Sequence, residues 1–191
     1  MVGKRFLDIL LLIVFSIVLF PLFIFIYFLI LLIDGSPVFF KQLRLGLDGE
    51  EFEIIKFRTM VQMENKEKLL PDNQRITKLG RYLRSSSLDE LPNLWLIFTG
   101  KMSFVGPRPL LVKYKDRYSS YQMRRHEVLP GLTGWSQVNG RNCISWEQRF
   151  HLDVWYVENR NIWLDIKIIL KTFFVVLGRK NVNRGVEVTM P

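Results

Sequence analysis

The sequence has little of what disulfide-bonded and zinc-binding proteins depend on. One cysteine, Cys143, stands among 191 residues, so no disulfide can close within the chain. The two histidines, His126 and His151, lie far apart in the sequence and lack partner cysteines. These shortages exclude a disulfide scaffold and a zinc finger, and they fit a reducing compartment. Cys143 is interpreted as a small packing residue.

Acidic residues are outnumbered as well, by 27 Lys and Arg to 18 Asp and Glu, which gives a net charge of +9. A basic chain can bind nucleic acid, anionic lipid or phosphorylated substrates. The sequence has no zinc-finger spacing, no basic-region heptads and no helix-turn-helix pattern, so we expect no nucleic acid partner. Arg124 and Arg125 are interpreted as a solvated or headgroup-facing pair.

Charge is absent altogether from Ile9 to Ile33, and nearly all of the stretch is apolar. As a straight helix it would extend roughly 37 Å, which exceeds the hydrocarbon core of a bilayer. No small-residue cleavage site follows it, so it is not a signal peptide. A single transmembrane helix is one interpretation. Pro21 lies in the middle of the stretch and favours a kink, which permits a helix that enters, bends and returns.

The charges that flank this stretch favour the returning helix. Lys4 and Arg5 precede it, and Lys41 and Arg44 follow it. The positive-inside rule places both flanks on the cytoplasmic side. Asp8 lies one turn after Lys4 and can pair with it or with Arg5 at headgroup depth. We therefore expect a re-entrant membrane anchor at residues 1–33 and a cytoplasmic catalytic domain at 34–191, together forming one structural unit.

The remaining sequence predicts an α+β fold that is mostly helical and membrane-associated. Partial alternation around Asp48-Gly49 predicts a small β-hairpin over 38–60. Residues 130–142 are too rich in Gly and Asn for a helix and predict an ordered loop. A capping box at Ser145 starts a helix that runs to about Asn159. The last helix, 161–178, is either a core helix or an amphipathic helix in the membrane interface.

Two adjacent acids, Asp89 and Glu90, stand out in this basic chain. One interpretation is structural, because Ser87 and Glu90 match a capping box at the start of a helix. The other is chemical. An ionised carboxylate can act as a nucleophile, and its neighbour can hold a hard cation such as Mg²⁺. Arg84 and Arg108 can then neutralise phosphate oxygens, a set that suits displacement at phosphorus.

Five motifs in fixed order resemble those of the bacterial sugar transferases known as monotopic phosphoglycosyl transferases. The resemblance runs from the N-terminal anchor almost to the end of the chain. The motifs are "KFRTM" (56–60), "RSSSLDELPNLW" (84–95), "MSFVGPRPL" (102–110), "PGLTGWSQVNGRN" (130–142) and "LDVWYVENRNIWLDIKII" (152–169).

The resemblance implies transfer of a sugar phosphate from a UDP-sugar to a membrane polyprenol phosphate, with release of UMP. It implies Mg²⁺, a re-entrant helix among the membrane phospholipids, and a site on the cytoplasmic face of the bacterial inner membrane. The small members that the chain resembles most use N-acetylated amino sugars. Many of them have Ser-Pro at the kink, where this chain has Phe20-Pro21.

Carried over by motif, Asp89 is the nucleophile that forms a phosphosugar-aspartate, and Glu90 is its metal-binding neighbour. Arg84 and Arg108 contact phosphate. The positions on the substrate side are Lys56, Arg58, Gly134, Gln137, Asn139, Arg141 and Asp153. Two other functions stay open from the residues alone: a membrane-anchored adaptor, and a hydrolase that cleaves the diphosphate of a UDP-sugar.

Overall fold

A computed structural model describes residues 2–61, 72–140 and 144–177 of the chain. The predicted site residue Arg141, and Cys143 beside it, lie outside these ranges. Helices dominate the described residues, and two small two-stranded sheets accompany them. The expectation of a mostly helical fold with a small sheet is therefore confirmed.

The first element is a helix, α1 (Val2–Ile33), which continues past Pro21. Within the described part of the chain, it is the one helix long and apolar enough to cross a membrane by length and composition. Proline at position 21 leaves the carbonyl of Ile17 without its usual helical donor. The Ser16 hydroxyl donates instead to the carbonyl of Ile13, at 2.8 Å. A re-entrant bend at Pro21 stays a prediction.

The polar residues at the start of α1 bind the rest of the protein. Lys4 Nζ lies 2.7 Å from Asp165 Oδ2, and Asp8 Oδ1 accepts hydrogen bonds from both Ser103 Oγ and Phe104 N at 3.0 Å. The prediction that Asp8 pairs with Lys4 or Arg5 is wrong, because each of the three side chains reaches a partner outside α1. These residues fasten the helix to the following chain.

Arg5 serves the same purpose through backbone carbonyls. Its guanidinium donates to the carbonyls of Ile97 at 2.6 Å and Phe98 at 2.7 Å. These carbonyls belong to the last turn of a short helix, where acceptors lack helical partners and a positive charge is favoured. The start of α1 is thus held by a salt bridge, a buried carboxylate and a cationic cap.

The predicted hairpin is confirmed. Strands β1 (Phe39–Leu45) and β2 (Glu51–Phe57) pair antiparallel, with Phe39 opposite Phe57 and Leu45 opposite Glu51. The turn between them contains Asp48 and Gly49, both at positive φ, which is why this dipeptide suits it. Cross-strand partners project to the same face, so the hairpin presents one face to the core and the site.

The helices and strands after the hairpin are short until the last two helices. They are α2 (Asp72–Arg75), α3 (Lys78–Ser86), α4 (Leu94–Phe98), β3 (Ser103–Val105), α5 (Ser120–Met123), β4 (Gly131–Thr133), α6 (Trp135–Val138), α7 (Trp146–Asn159) and α8 (Ile162–Leu177). Strands β3 and β4 pair in parallel. The prediction that 130–142 contains no helix is wrong, because α6 forms one helical turn directly after β4.

The core forms where α7 and α8 pack against α4 and β3. Its most buried members include Ile97, Val105, Tyr156 and Ile168, and Leu11 and Leu12 of α1 pack against it. The capping box at Ser145 is confirmed as the start of α7. Helix α8 combines both interpretations of the last helix. Ile168 is in the core, while Trp163, Phe173 and Phe174 are exposed.

Candidate active site

The two adjacent acids follow α3 directly. At Ser87 the chain turns sharply, with φ at 58°, and a 3₁₀ helix (Leu88–Asn93) begins with Asp89 and Glu90 in its first turn. Ser87 makes no side-chain capping hydrogen bond, so the capping-box interpretation is wrong.

Gly80 allows α3 to lie close to the segment after β2, since a Cβ at this position would lie 2.2 Å from the Thr59 carbonyl oxygen.

Glu90 is bound by two cations from different segments. Lys56 Nζ and Arg108 Nη2 each lie 2.7 Å from Glu90 Oε1, and Arg108 Nη1 lies 3.4 Å from Oε2. Burial raises the pKa of Glu90, but the charges of Arg108 and Lys56 outweigh it and hold the pKa well below its usual range. Glu90 is therefore ionised at every physiological pH.

Asp89 differs from its neighbour although both are buried. It is 8% exposed, and no hydrogen bond from the described residues reaches its carboxylate. Burial, followed by the charge of Glu90, raises the pKa of Asp89 to about 6; Lys56, Arg108 and Arg84 partly offset this. The charged form of Asp89 still predominates at pH 7. An ionised carboxylate without donors has oxygen lone pairs available for a cation or for nucleophilic attack.

A small open cavity lies beside Glu90. The side chains of Arg44, Lys56 and Arg108 give it positive charge. Its remaining lining residues are Ile54, Glu90, Asn93, Met102, Pro109 and Gly131. Asp89 does not line the cavity, but it directly precedes Glu90 in the chain, which does. The cavity thus has three cations and one carboxylate, Glu90, which is already paired. This excess of positive charge suits binding of a group with several negative charges, such as a diphosphate.

The segment that carries Arg108 is held by its backbone. Four consecutive carbonyls, from residue 107 to residue 110, each accept a hydrogen bond from a different place in the chain. The donors are Gly131 N at 3.0 Å, Arg125 Nη2 at 2.7 Å, Arg44 Nη1 at 3.3 Å and Leu45 N at 3.0 Å. The two prolines fix φ on either side of Arg108. The backbone beneath this side chain therefore has little freedom.

Glycines allow the Arg108 segment, which follows β3, to contact β4 and the residue directly after it. A Cβ at Gly131 would lie 2.0 Å from the Gly106 nitrogen, and one at Gly134 would lie 2.3 Å from the Gly106 oxygen. Any side chain at these positions would push the two segments apart. Gly134, predicted on the substrate side, thus has a packing role that its neighbours explain.

Several predicted substrate residues are already engaged inside the protein. Arg58 donates to the carbonyls of Asp34, Gly35 and Ser36, at 2.5 to 2.9 Å, and so closes the end of α1. Asp153 is 1% exposed, so it cannot touch a substrate. Neither residue lines the cavity. The prediction of substrate contact is wrong for Asp153, whose role is inside the protein.

Arg84 lies near the acids, and its Nε donates to Thr59 Oγ1 at 2.8 Å. Gln137 Nε2 donates to the Leu132 carbonyl at 3.2 Å, and Asn139 Oδ1 accepts from Lys171 Nζ at 3.2 Å. Neither amide lines the cavity. Of the predicted site residues, the structure brings together Lys56, Asp89, Glu90 and Arg108, with Arg84 in electrostatic range of Asp89.

Arg44 lines the cavity, although the sequence places it only in the charged flank of the apolar stretch. The register of the predicted hairpin could have placed Arg44 in the site. In the hairpin, Lys56 pairs with Phe40, and Arg44 lies four residues further along the same strand, so both cations project to one face. Asn93 also went unnoticed; its Oδ1 accepts from Ile55 N at 3.0 Å and fixes the 3₁₀ helix on β2.

Residues 1–179 match the protein family described as "Bacterial sugar transferase". The chain belongs to this family, so the predicted family and transferase class are confirmed. The family match covers all elements of the site, from the hairpin with Lys56 to α7 with Asp153.

Individual relatives agree with the family. The chain is 53% identical over 156 residues to the "Uncharacterized sugar transferase EpsL" of Bacillus subtilis, covering 81% of this chain and 77% of that one. It is 40% identical over 185 residues to the "UDP-glucose:undecaprenyl-phosphate glucose-1-phosphate transferase" of Klebsiella pneumoniae. It is 38% identical over 199 residues to the "Undecaprenyl-phosphate galactose phosphotransferase" of Salmonella typhimurium.

The last two relatives are much longer proteins. The matches cover 91% and 92% of this chain but only 40% of each of those transferases. The similarity therefore extends over most of this chain but over less than half of each of these relatives.

Proposed function

We propose that the protein transfers a sugar 1-phosphate from a UDP-sugar to a membrane polyprenol phosphate, through a covalent intermediate on Asp89. One observation carries the proposal. Glu90 is fixed by Lys56 and Arg108, while Asp89 beside it is buried, largely ionised and free of hydrogen-bond donors from the described residues. The names of the Klebsiella and Salmonella relatives support the class of donor and acceptor.

The chemistry proceeds in two displacements at one phosphorus atom. In the first, an Asp89 carboxylate oxygen bonds to the phosphorus that carries the sugar, and the bond from this phosphorus to the bridging diphosphate oxygen breaks. UMP leaves with that oxygen and its electron pair. In the second, a phosphate oxygen of the polyprenol phosphate bonds to the same phosphorus and Asp89 leaves as a carboxylate. The product is a polyprenyl-diphospho-sugar, and the enzyme is regenerated.

The site residues have separate tasks in these steps. Arg108, with a planar fork, and Lys56, with a point charge, neutralise the diphosphate oxygens as charge moves towards the leaving UMP. Glu90 keeps both cations in place before substrate arrives. Splitting one transfer into two steps lets a soluble donor and a membrane-bound acceptor use the same small site in turn.

The acidic pair also fits a magnesium ion. Within the described residues there is no group of three or more acidic, histidine or cysteine side chains that could form a complete metal site. Mg²⁺ commonly binds through one or two carboxylates together with substrate phosphates, so Asp89 and Glu90 are the residues that would hold it. When bound, it supplies positive charge to the diphosphate. The raised pKa of Asp89 is consistent with this, because burial beside a like charge favours a nearby cation.

We further propose that α1 is re-entrant and that the site faces the cytoplasm at the inner membrane. A spanning helix separates its ends by about 30 Å of hydrocarbon. Here Lys4 and Asp8 at one end, and the carbonyls bound by Arg58 at the other, contact the same body. The region from Ile13 to Phe20 is mostly exposed and apolar, as lipid contact requires. Cysteines near residues 3 and 40 should both be labelled from the cytoplasm only.

The sugar is expected to be an N-acetylated amino sugar, from the resemblance to small members of the family. The names of longer relatives specify glucose and galactose instead. A panel of UDP-sugars that includes all three types, with UMP release as the readout, identifies the donor. Preference for UDP-glucose or UDP-galactose would overturn this part of the proposal alone.

The decisive experiment is intact-protein mass spectrometry after the enzyme is mixed with Mg²⁺ and a UDP-sugar without acceptor. We expect a mass increase of one phosphosugar that maps to Asp89, with one equivalent of UMP. Asp89→Asn is the matched control and should show neither. Continuous UMP release without acceptor would indicate a hydrolase. If no adduct forms on rapid quenching and UMP release requires both substrates together, transfer is direct.

A further inference from the structure

A buried ion pair lies behind the cavity and does not line it. Arg125 is 2% exposed and Asp153 is 1% exposed. Arg125 Nη2 and Nε lie 2.8 Å and 3.2 Å from Asp153 Oδ2. The other carboxylate oxygen, Oδ1, accepts from Ser136 Oγ at 2.6 Å. The two charges are thus fully withdrawn from solvent and from any substrate.

One further contact connects this pair with the site. Arg125 Nη2 donates to the carbonyl oxygen of Arg108 at 2.7 Å. Arg125 Nη2 therefore links the Arg108 backbone to Asp153, which lies on α7. Through Ser136, the carboxylate is also tied to α6, which follows the loop packed against Gly106. The planar guanidinium, with several donors in fixed directions, can make these contacts together.

We propose that Arg125, held in place by Asp153, is a positioning residue that sets the orientation of Arg108 for phosphate binding. The inference rests on the proposed function, because it assigns a purpose to the orientation of Arg108. A buried ion pair adds little net stability compared with a well-packed apolar pair, so stability alone does not explain it. The contact with the Arg108 carbonyl explains the pair, since rotation of that peptide would move the Arg108 side chain away from Glu90.

The test replaces both charges at once, so that neither is left buried alone. Arg125→Met with Asp153→Asn should lower kcat/KM of UMP release for the UDP-sugar tenfold or more, with little change in Tm. The matched control is Arg124→Met with Glu158→Gln. This neighbouring pair is exposed, with Arg124 Nη1 2.6 Å from Glu158 Oε1, and should change kcat/KM less than twofold. Equal losses in the two double variants would overturn the proposal.

A cycle with Arg108 separates positioning from a general structural role. If Arg125 acts through Arg108, the charge-removing double variant should cause no additional loss in an Arg108→Ala background. The same fold-loss in both backgrounds would show that Arg125 acts elsewhere. Should the double variant fold poorly, Arg125→Lys takes its place. Its single ammonium keeps the charge but cannot reproduce the fork, so we expect a loss in the same direction that also disappears with Arg108→Ala.

A measurement without any transfer keeps this inference distinct from the proposed function. Phenylglyoxal labels accessible arginines, and mass spectrometry maps the label at Arg108. Release of Arg108 from Glu90 should raise its labelling rate several-fold in the Arg125 variants, but not in the Arg124 control. An unchanged rate would contradict positioning even in an active enzyme. An increased rate would support it even if the wild type released no UMP, in which case the proposed function alone would fail.

Discussion

The parts of the molecule that support the fold and the candidate site differ in how their buried aspartates are bound. At the junction of α1 with the body, Asp8 and Asp165 each accept two hydrogen bonds, and behind the cavity Asp153 accepts from Arg125 and Ser136. At the end of α3, Asp89 is buried as well, yet no donor of the described chain reaches it. The first three carboxylates stabilise the fold through satisfied bonds.

The difference shows where the chain gives up stability. A buried carboxylate without donors is unfavourable in its charged form, which is what the raised pKa of Asp89 expresses. A group that serves only the fold would gain a partner or be replaced by an apolar residue. In the proposed function, the partner of this unsatisfied acid is the substrate or a cation. Variants at the two kinds of aspartate should therefore separate activity from stability.

The largest effect is expected from Asp89→Asn. The amide keeps the shape but is not a nucleophile, so transfer should fall by at least about a thousandfold. The unfolding free energy should rise by on the order of 1 kcal/mol, because the amide removes a buried charge and with it the repulsion from Glu90. Steady-state UMP release and chemical denaturation measure the two quantities. A large loss of stability would show that Asp89 also holds the fold.

Asp165→Asn should lower stability and leave activity nearly unchanged. Asp165 accepts from Lys4 and from the Tyr156 hydroxyl, both at 2.7 Å, and its removal leaves a largely buried ammonium unpaired. We expect a loss on the order of 3 kcal/mol in unfolding free energy. Activity per folded molecule, from titration of the covalent adduct, should stay within a few-fold of wild type. Loss of adduct in folded protein would contradict the division between the two regions.

A smaller effect is expected from Arg108→Lys. Lysine keeps the charge but loses the planar pairing with carboxylate and phosphate oxygens. Activity should fall about tenfold or more, which corresponds to ~1.4 kcal/mol of transition-state stabilisation. The kcat/KM of UMP release measures it. Full activity of the lysine variant would mean that charge alone matters at this position.

The smallest effect concerns the pH dependence of stability. His126 is buried, with Nδ1 2.9 Å from the Gly46 carbonyl, and burial followed by the charge of Arg125 lowers its pKa to about 4. Below pH 6.5 the unfolded chain therefore takes up a proton that the folded chain does not, and stability is lost. For Asp89, with its pKa raised to about 6, the folded chain takes up the proton first, and stability is gained.

The two contributions oppose each other between pH 7 and 5. In chelator, without Mg²⁺, the unfolding free energy of Asp89→Asn should decrease with acidification more steeply than that of wild type, by about 1 kcal/mol. His126→Asn should flatten or reverse the wild-type slope. Parallel curves for all three proteins would show that neither group titrates abnormally.

The sequence predicted those features that short-range rules govern. The grouping of Lys56, Asp89, Glu90 and Arg108 followed from motif resemblance rather than from a local rule. The hairpin followed from Asp48-Gly49, and the start of α7 followed from Ser145. Rules of this kind need only neighbours in the chain, so they hold before the tertiary structure is known.

What escaped prediction depends on contacts between distant segments. Arg125 was assigned to the surface with Arg124, and only the packing of α7 shows that one of two adjacent arginines is buried. For Asp8 the sequence suggests only its neighbours Lys4 and Arg5 as partners, because the observed partners, Ser103 and Phe104, are almost a hundred positions away. Long-range polar partners leave no local pattern, so single-sequence reasoning assigns such residues to solvent.

The fastening of α1 at both ends has a practical consequence for handling the enzyme. Cutting away residues 1–33 to obtain a water-soluble fragment would take Lys4 from Asp165 and the Asp8 carboxylate from Ser103 and Phe104. It would also uncover Leu83 and Phe57, which pack on Ile26 and Ile30. The fragment would expose apolar surface to water and leave polar groups beside β3 without hydrogen-bond partners. Purification should therefore keep the whole chain in detergent or lipid nanodiscs.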